Sequence, residues 1–211
     1  MVLDFGDGFV LRHATAADDY NICRVCLLTG DAGQDASGRE DDPDLLGLIY
    51  CLPYRVLEPD FAFVVDSPDG VCGYLFGAPD TVSFTQRLEA EWYPPLRQRL
   101  PDPGPNQGLW HGSDWARHMI HHPEPVDSNI IADYPSHGHI DLLEQARGRG
   151  IGRQAMTLLM KVLSATGSKG IFLDVDPRNH GARQFYRKLG FKPSPVPNLL
   201  LDERCMVRSL P

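Results

Sequence analysis

The sequence predicts an α/β (α+β) protein, with strands and helices mixed along the chain. Three observations carry that expectation. "FAFVVDSPDGVCGYLFGA" joins two runs rich in Val, Phe and Tyr across Ser67-Pro68-Asp69-Gly70, a hairpin pattern. "IGRQAMTLLMKVLSATG" places Ile151, Ala155, Leu158, Leu159, Val162 and Leu163 on one helical stripe. Between a strand-like "GHIDLL" and that helix lies a glycine loop, "RGRGIGRQAM".

The elements follow in order. "GFVLRHAT" predicts a short strand, and "AADDYNICRVCLL" a helix with acids in its first turn and Ile22, Val25 and Cys26 on one face. "GREDDPDLL" is a polar connection into a short helix, and the hairpin comes next. From about 82 to 135 the character changes. "FTQRLEAEWYPPLRQRL" predicts helix on both sides of Pro94-Pro95, and "SDWARHMIHH" a short helix capped by Ser113 or Asp114. Prolines cluster around them, which predicts a loop-rich insertion rather than core. Trp92, Tyr93, Trp110 and Trp115 still need somewhere to bury their rings, and they are expected to help close a pocket. "GIFLDVD" then predicts a strand and "NHGARQFYRKLG" a helix from Asn179 to Gly190; "RCMVRSL" predicts a last strand. The whole, residues 1–211, is expected to form a single domain carrying that insertion.

Composition narrows the function. The chain is 42% hydrophobic and 23% charged, with a formal net charge of −8. That excess of acid argues against a nucleic-acid partner and suits a cationic substrate such as an amine. No apolar run nears the roughly 20 residues that span a bilayer. The first residues lack a basic segment followed by an apolar one, so no signal peptide is expected. Five cysteines show no disulfide framework; Cys23 and Cys26 sit inside a helical pattern and are expected to be reduced core residues of a cytoplasmic protein. His118, His121 and His122 have helical spacing but no partner at ligand spacing, so no metal site is expected.

The glycine loop predicts an anion site. Glycines permit left-handed turns and close backbone approach. The N–H groups opening a helix are unpaired and attract phosphate. Arg147, Arg149 and Arg153 add positive charge. Gly150-x-Gly152-x-x-Ala155 also matches a dinucleotide-binding fingerprint, with Asp174 about 20 residues on. Against that reading, "EQAR" separates the strand from the loop, and the motif lies in the last third of the chain.

"IDLLEQARGRGIGRQAMTLLM" resembles the cofactor motif of the GCN5-related N-acetyltransferases (GNAT family), an apolar strand and then Arg/Gln-x-x-Gly-x-Gly/Ala opening a long helix. "LDVDPRNHGARQFYRKLGF" resembles the family's next signature at the expected separation. "GVCGYLFGAPDTVSFTQRLEAEWYPPLRQRL" is similar to the acetyltransferase-like C-terminal domain of animal O-GlcNAcases, in which the glycine loop is degenerate; here it is intact. No glycosidase domain is implied.

The resemblance implies a GNAT fold, a mixed central sheet with splayed parallel strands flanked by helices and an insertion before the cofactor strand. It implies acetyl-CoA as cosubstrate without a metal, and an amine acceptor, either a small molecule or a lysine of a peptide or protein, for a monomer or homodimer. It places the pyrophosphate on Arg147, Gly148, Arg149, Gly150, Ile151, Gly152 and Arg153, the pantetheine on the backbone of Ile140, Asp141 and Leu142, and Asn179 against the cofactor. It makes Tyr186 the proton donor to the CoA sulfur and Asp174 the base, with Asp176, His139 and Asp141 as rivals. Some relatives have lost chemistry, so an acyl-CoA-binding or protein-interaction domain is the alternative.

Overall fold

The computed structural model describes residues 2–195 and 204–211. β1 (Leu3–Gly6) and β2 (Phe9–His13) form a hairpin. Gly6, Asp7 and Gly8 all take positive φ at its turn, which glycine tolerates and Asp accepts better than most residues. The sequence pattern missed β1, because the alternation of Leu3 and Phe5 with Asp4 and Gly6 spans only four residues. α1 (Asp19–Thr29) buries Ile22, Cys23, Val25 and Cys26. A polar loop leads to α2 (Leu45–Tyr50) and α3 (Leu52–Leu57), and then to the expected hairpin, β3 (Ala62–Ser67) and β4 (Gly70–Ala78).

The 82–135 segment differs from its expectation. α4 (Thr81–Arg87) runs through a π turn at Leu88–Trp92 into α5 (Tyr93–Arg99). Pro94 and Pro95 sit in the first turn of α5, where the missing N–H costs nothing. α6 (Asp114–His121) and α7 (Ser128–Asp133) follow. Phe84, Leu88, Tyr93, Leu96, Ala116 and Ile120 are buried in the main core. The helices expected around Pro94-Pro95 and at "SDWARHMIHH" are present, but the segment contributes to the core, where loop outside the core was expected.

β5 (Ser136–Leu142), α8 (Ile151–Ala165), β6 (Gly170–Asp174), α9 (His180–Lys188), β7 (Lys192–Pro193) and β8 (Cys205–Ser209) complete the chain. The sheet has eight strands in the order β1-β2-β3-β4-β5-β6-β8-β7. Among the described residues only β5 and β6 pair in parallel. Alternation sorts its two faces. Ala62, Val64, Tyr74, Phe76 and Ala78 face α1–α6. Phe63, Val65 and Leu75 pack with α8, which lies close enough that a Cβ at Gly77 would meet Leu159 Cδ1 at 2.6 Å.

One pairing detail sets up the site. β5 follows β4 along its length, from Ala78↔His137 to Gly73↔Leu142. On its other edge it pairs with β6 only at Ser136↔Ile171 and His137↔Phe172. Beyond His137 the two parallel strands splay apart. This opens a gap in the sheet, with unpaired strand backbone at its edge.

Candidate active site

Two cavities meet at that gap. The first, about 650 Å³, runs from the open edge of β5 to the start of α8. It is lined by Ile140, Asp141, Leu142, Arg147, Gly148, Gly150, Ile151, Gly152, Arg153 and Asn179, all expected from sequence. Gly148 and Gly150 have φ of +73° and +79°, in the left-handed region that disfavours any side chain. A Cβ at Gly148 would meet nothing within 4 Å, so the backbone there borders open space. The first helical bond of α8 runs from Gln154 N to Gly150 O at 3.2 Å. The N–H groups of Ile151, Gly152 and Arg153 precede it, as an anion cradle requires. Arg147 and Arg153 line the cavity without a carboxylate partner among the described residues. Arg147 also donates to Leu142 O at 2.7 Å and Gly33 O at 3.2 Å, bracing the cleft's two sides.

Arg149 departs from expectation. It does not line the cavity. Its guanidinium lies 4.7 Å from the Phe9 ring centre and pairs with Asp7 at 3.4 Å, tying the loop to the β1–β2 turn. Sequence reasoning also missed Ala32, Gly33 and Gln34, which form the opposite lip. Gly33 approaches Asn179 so closely that a Cβ would fall 2.9 Å from Nδ2. Asn179 Oδ1 caps α9 by accepting from Ala182 N at 3.0 Å.

The second cavity, about 470 Å³, lies on the opposite face of the sheet. It shares Ile140, Asp141, Asn179 and Tyr186 with the first. Tyr186 is 7% exposed, and its hydroxyl makes no hydrogen bond among the described residues. Burial raises its pKa above the ordinary phenol value, which keeps the proton on. Asp174 and Asp176 both line this cavity. Asp174 ends β6, exposed, and accepts from Arg204 Nε at 2.9 Å. Asp176 lies just past the strand and accepts from Arg178 N at 2.8 Å.

His137 and His139 come from alternate positions of β5 and stand in this cavity. Burial, with the charge of His139 added, pushes His137 down to about 4. Burial also works against charge on His139, but the hydrogen bond and charge of Asp141 outweigh it and hold the imidazole at about 9. His139 meets Asp141 at 3.0 Å and donates from Nδ1 to Tyr50 O at 2.9 Å. Tyr74 donates to the same Asp141 carboxylate at 2.5 Å. A cationic His139 is no base, and Asp141 is already engaged by two donors.

Of Trp92, Tyr93, Trp110 and Trp115, only Trp115 reaches the cavity. Trp92 and Trp110 donate to Leu48 O and Gly104 O, and Tyr93 is core. Ser113 stands at the N-cap position of α6 but does not cap it; its hydroxyl accepts from Asp41 N at 3.1 Å and Asp42 N at 3.3 Å. This zips the α1–α2 loop to the α6 start. His118 and His122 gather at Asp102, with His122 Nε2 2.7 Å from its carboxylate, and line neither cavity. All five cysteines are buried and free, and burial pushes Cys23 up to about 12, an inert thiol.

The Acetyltransferase (GNAT) family profile matches residues 113–191, from the start of α6 through α9. The chain is 31% identical to the crystal structure of SsHAT, with a TM-score of 0.85 over 97% of this chain and 99% of that one. The chain belongs to the GNAT acetyltransferase family. Protein O-GlcNAcase of Rattus norvegicus is 25% identical over 182 residues, 86% of this chain. This GNAT chain spans only 20% of that protein's length. The protein yncA of Salmonella typhimurium, solved with its cofactor acetyl-CoA, shares the fold at 14% identity, with a TM-score of 0.51 over 97% of this chain and 95% of that one. Among the described residues, no helix of the chain is long and apolar enough to cross a membrane.

Proposed function

We propose that this chain is an acetyl-CoA-dependent N-acetyltransferase acting on an amine held in the 470 Å³ cavity. The observation that carries the reading is the meeting of the two cavities at the β5–β6 splay, with Tyr186 lining both. The glycine loop and α8 start suit a pyrophosphate. The unpaired edge of β5 suits the amides of pantetheine. Acetyl-CoA, the cofactor solved with yncA, has both groups and supplies the activated acetyl thioester. The acceptor amine enters from the other face.

The amine must lose its proton to attack, and the departing thiolate must gain one. Asp174 is the base: it lines the acceptor cavity at the end of β6, and Arg204 orients it. Tyr186 is the acid: its buried hydroxyl is protonated and uncommitted, and it sits where the cavities join. The new C–N bond replaces the C–S bond. Asp174 takes one proton from the ammonium, and the neutral amine attacks. The phenol's proton goes to the departing sulfur, the nitrogen's second proton restores the phenol, and Asp174 releases its proton to solvent.

Tyr186→Phe keeps the ring and removes only the hydroxyl. It should cut kcat by roughly 10²–10⁴-fold with acetyl-CoA affinity unchanged. Asp174→Asn should slow the reaction most at neutral pH and least at high pH, where more of the amine is already neutral. A wild-type rate in Tyr186→Phe, or a pH-independent defect in Asp174→Asn, would remove these roles.

A further inference from the structure

Four carboxylates line the acceptor cavity: Glu40, Asp141, Asp174 and Asp176. Three face cations. Asp141 meets His139 at 3.0 Å, Asp174 meets Arg204 at 2.9 Å and Asp176 meets Arg178 at 2.8 Å. Glu40 has no cationic partner among the described residues. Its Oε1 accepts from the neutral indole of Trp115 at 3.2 Å. Its Oε2 is shielded from solvent with no hydrogen-bond partner. The neighbouring Arg39 is committed to Asp31 at 2.6 Å. A desolvated carboxylate without counter-charge is costly, and a cation brought by a ligand would relieve it.

Glu40 is held in place. Its N–H donates to Ala36 O at 3.2 Å, and Ala36, itself buried, donates to Leu27 O at 2.9 Å. The next two residues are fixed by the Ser113 hydroxyl. The helical 82–135 segment thus presents both Trp115 and the loop that carries Glu40. Glu40 and Trp115 line the acceptor cavity but not the cofactor cleft, whereas Tyr186 lines both. The unpaired charge therefore stands on a wall away from the junction where acetyl transfer is proposed. Tyr50, Tyr54 and Trp115 line the same cavity, and aromatic faces also favour a cation.

We infer that Glu40 binds a second positive charge on the acceptor, so that the enzyme selects dibasic amines. One amine sits at the cavity junction for acetylation while an ammonium on the same molecule pairs with Glu40. This inference rests on the acceptor reading of the cavity given above.

The test uses straight-chain α,ω-diamines of increasing length and monoamines of the same chain length. Each is titrated by calorimetry into the whole protein saturated with CoA, and each is offered with acetyl-CoA in a thiol-release assay. Wild type should bind its best diamine about tenfold more tightly than the matching monoamine. Glu40→Gln should reduce that preference to within about twofold, and Glu40→Asp should restore part of it. Unaltered acetyl-CoA affinity in both variants reports that they fold. A wild type that prefers no diamine, or a preference that survives in Glu40→Gln, overturns the inference. Failure of acetyl-CoA to bind, or of any amine to be acetylated, is a separate result that counts against the acetyltransferase reading, and Glu40-dependent diamine binding would outlast it.

Discussion

The cofactor cleft and the acceptor cavity share a wall, yet they are made of different materials. The cleft is largely backbone: the open edge of β5, two left-handed glycines and the first turn of α8. Those parts lie within residues 138–153, one continuous stretch of chain. The acceptor cavity is made of side chains. Glu40 comes from the α1–α2 loop, Tyr50 and Tyr54 from α2 and α3, and Trp115 from α6. His139 comes from β5, Asp174 from β6 and Arg204 from the approach to β8. Backbone recognition suits a ligand that never changes, because it depends on chain conformation more than on side-chain identity. Side-chain recognition lets the acceptor change by point substitution while the fold and the cofactor stay fixed.

This contrast can be broken by damaging one region and reading the other. The largest effect is expected at the glycine loop. Gly150→Asp places a side chain and a negative charge at a left-handed position beside the α8 start. Acetyl-CoA affinity measured by calorimetry should fall tenfold or more, about 1.4 kcal/mol or above. Amine binding to the other cavity should not change. Loss of both together would mean that the regions are not separable.

A smaller effect sharpens the contrast through the two histidines of the acceptor cavity. His139, held near 9 against an ordinary 6.5, contributes stability below pH 6.5 that is lost as pH rises through 9. His137, pushed down to about 4, is neutral when folded. Its contribution is present above pH 6.5 and is lost as pH falls through 4. Thermal stability should therefore peak near pH 6.5, with an acid limb due to His137 and an alkaline limb due to His139. His137→Gln should flatten the acid limb, and His139→Gln should flatten the alkaline limb and also shorten the acid one, because the His139 charge helps to depress His137. Limbs that both survive these substitutions would place the titration elsewhere.

The same contrast explains what could be read from the sequence. Arg147-x-x-Gly150-x-Gly152 and Asn179 were visible because their spacing is local and their residue types are constrained by backbone and capping, whereas Tyr186 was singled out only by the family resemblance. Hydrophobic period located α8, α9 and the β3–β4 hairpin for the same reason. The direction of the Arg149 side chain could not be read, because the glycine turn aims it at Phe9 and Asp7, about 140 residues upstream. The burial of the 82–135 segment, not its helices, was missed because prolines outweighed its apolar spacing, although Phe84, Leu88 and Leu96 already lay on a buried face. Glu40 gave no signal at all. It is one acid in a polar run, and what distinguishes it is an absent partner, which only three-dimensional packing reveals.

The central claim is that the two cavities form one reaction path from acetyl-CoA to an amine. Amine-dependent release of CoA thiol, with mass spectrometry of the amine product across a panel of mono- and diamines, tests it most directly. The account expects release that depends on the amine, a product heavier by one acetyl group, and collapse of both signals in Tyr186→Phe. Tight acetyl-CoA binding with no acetylated product from any amine would contradict it and would leave a domain that binds the cofactor without using it.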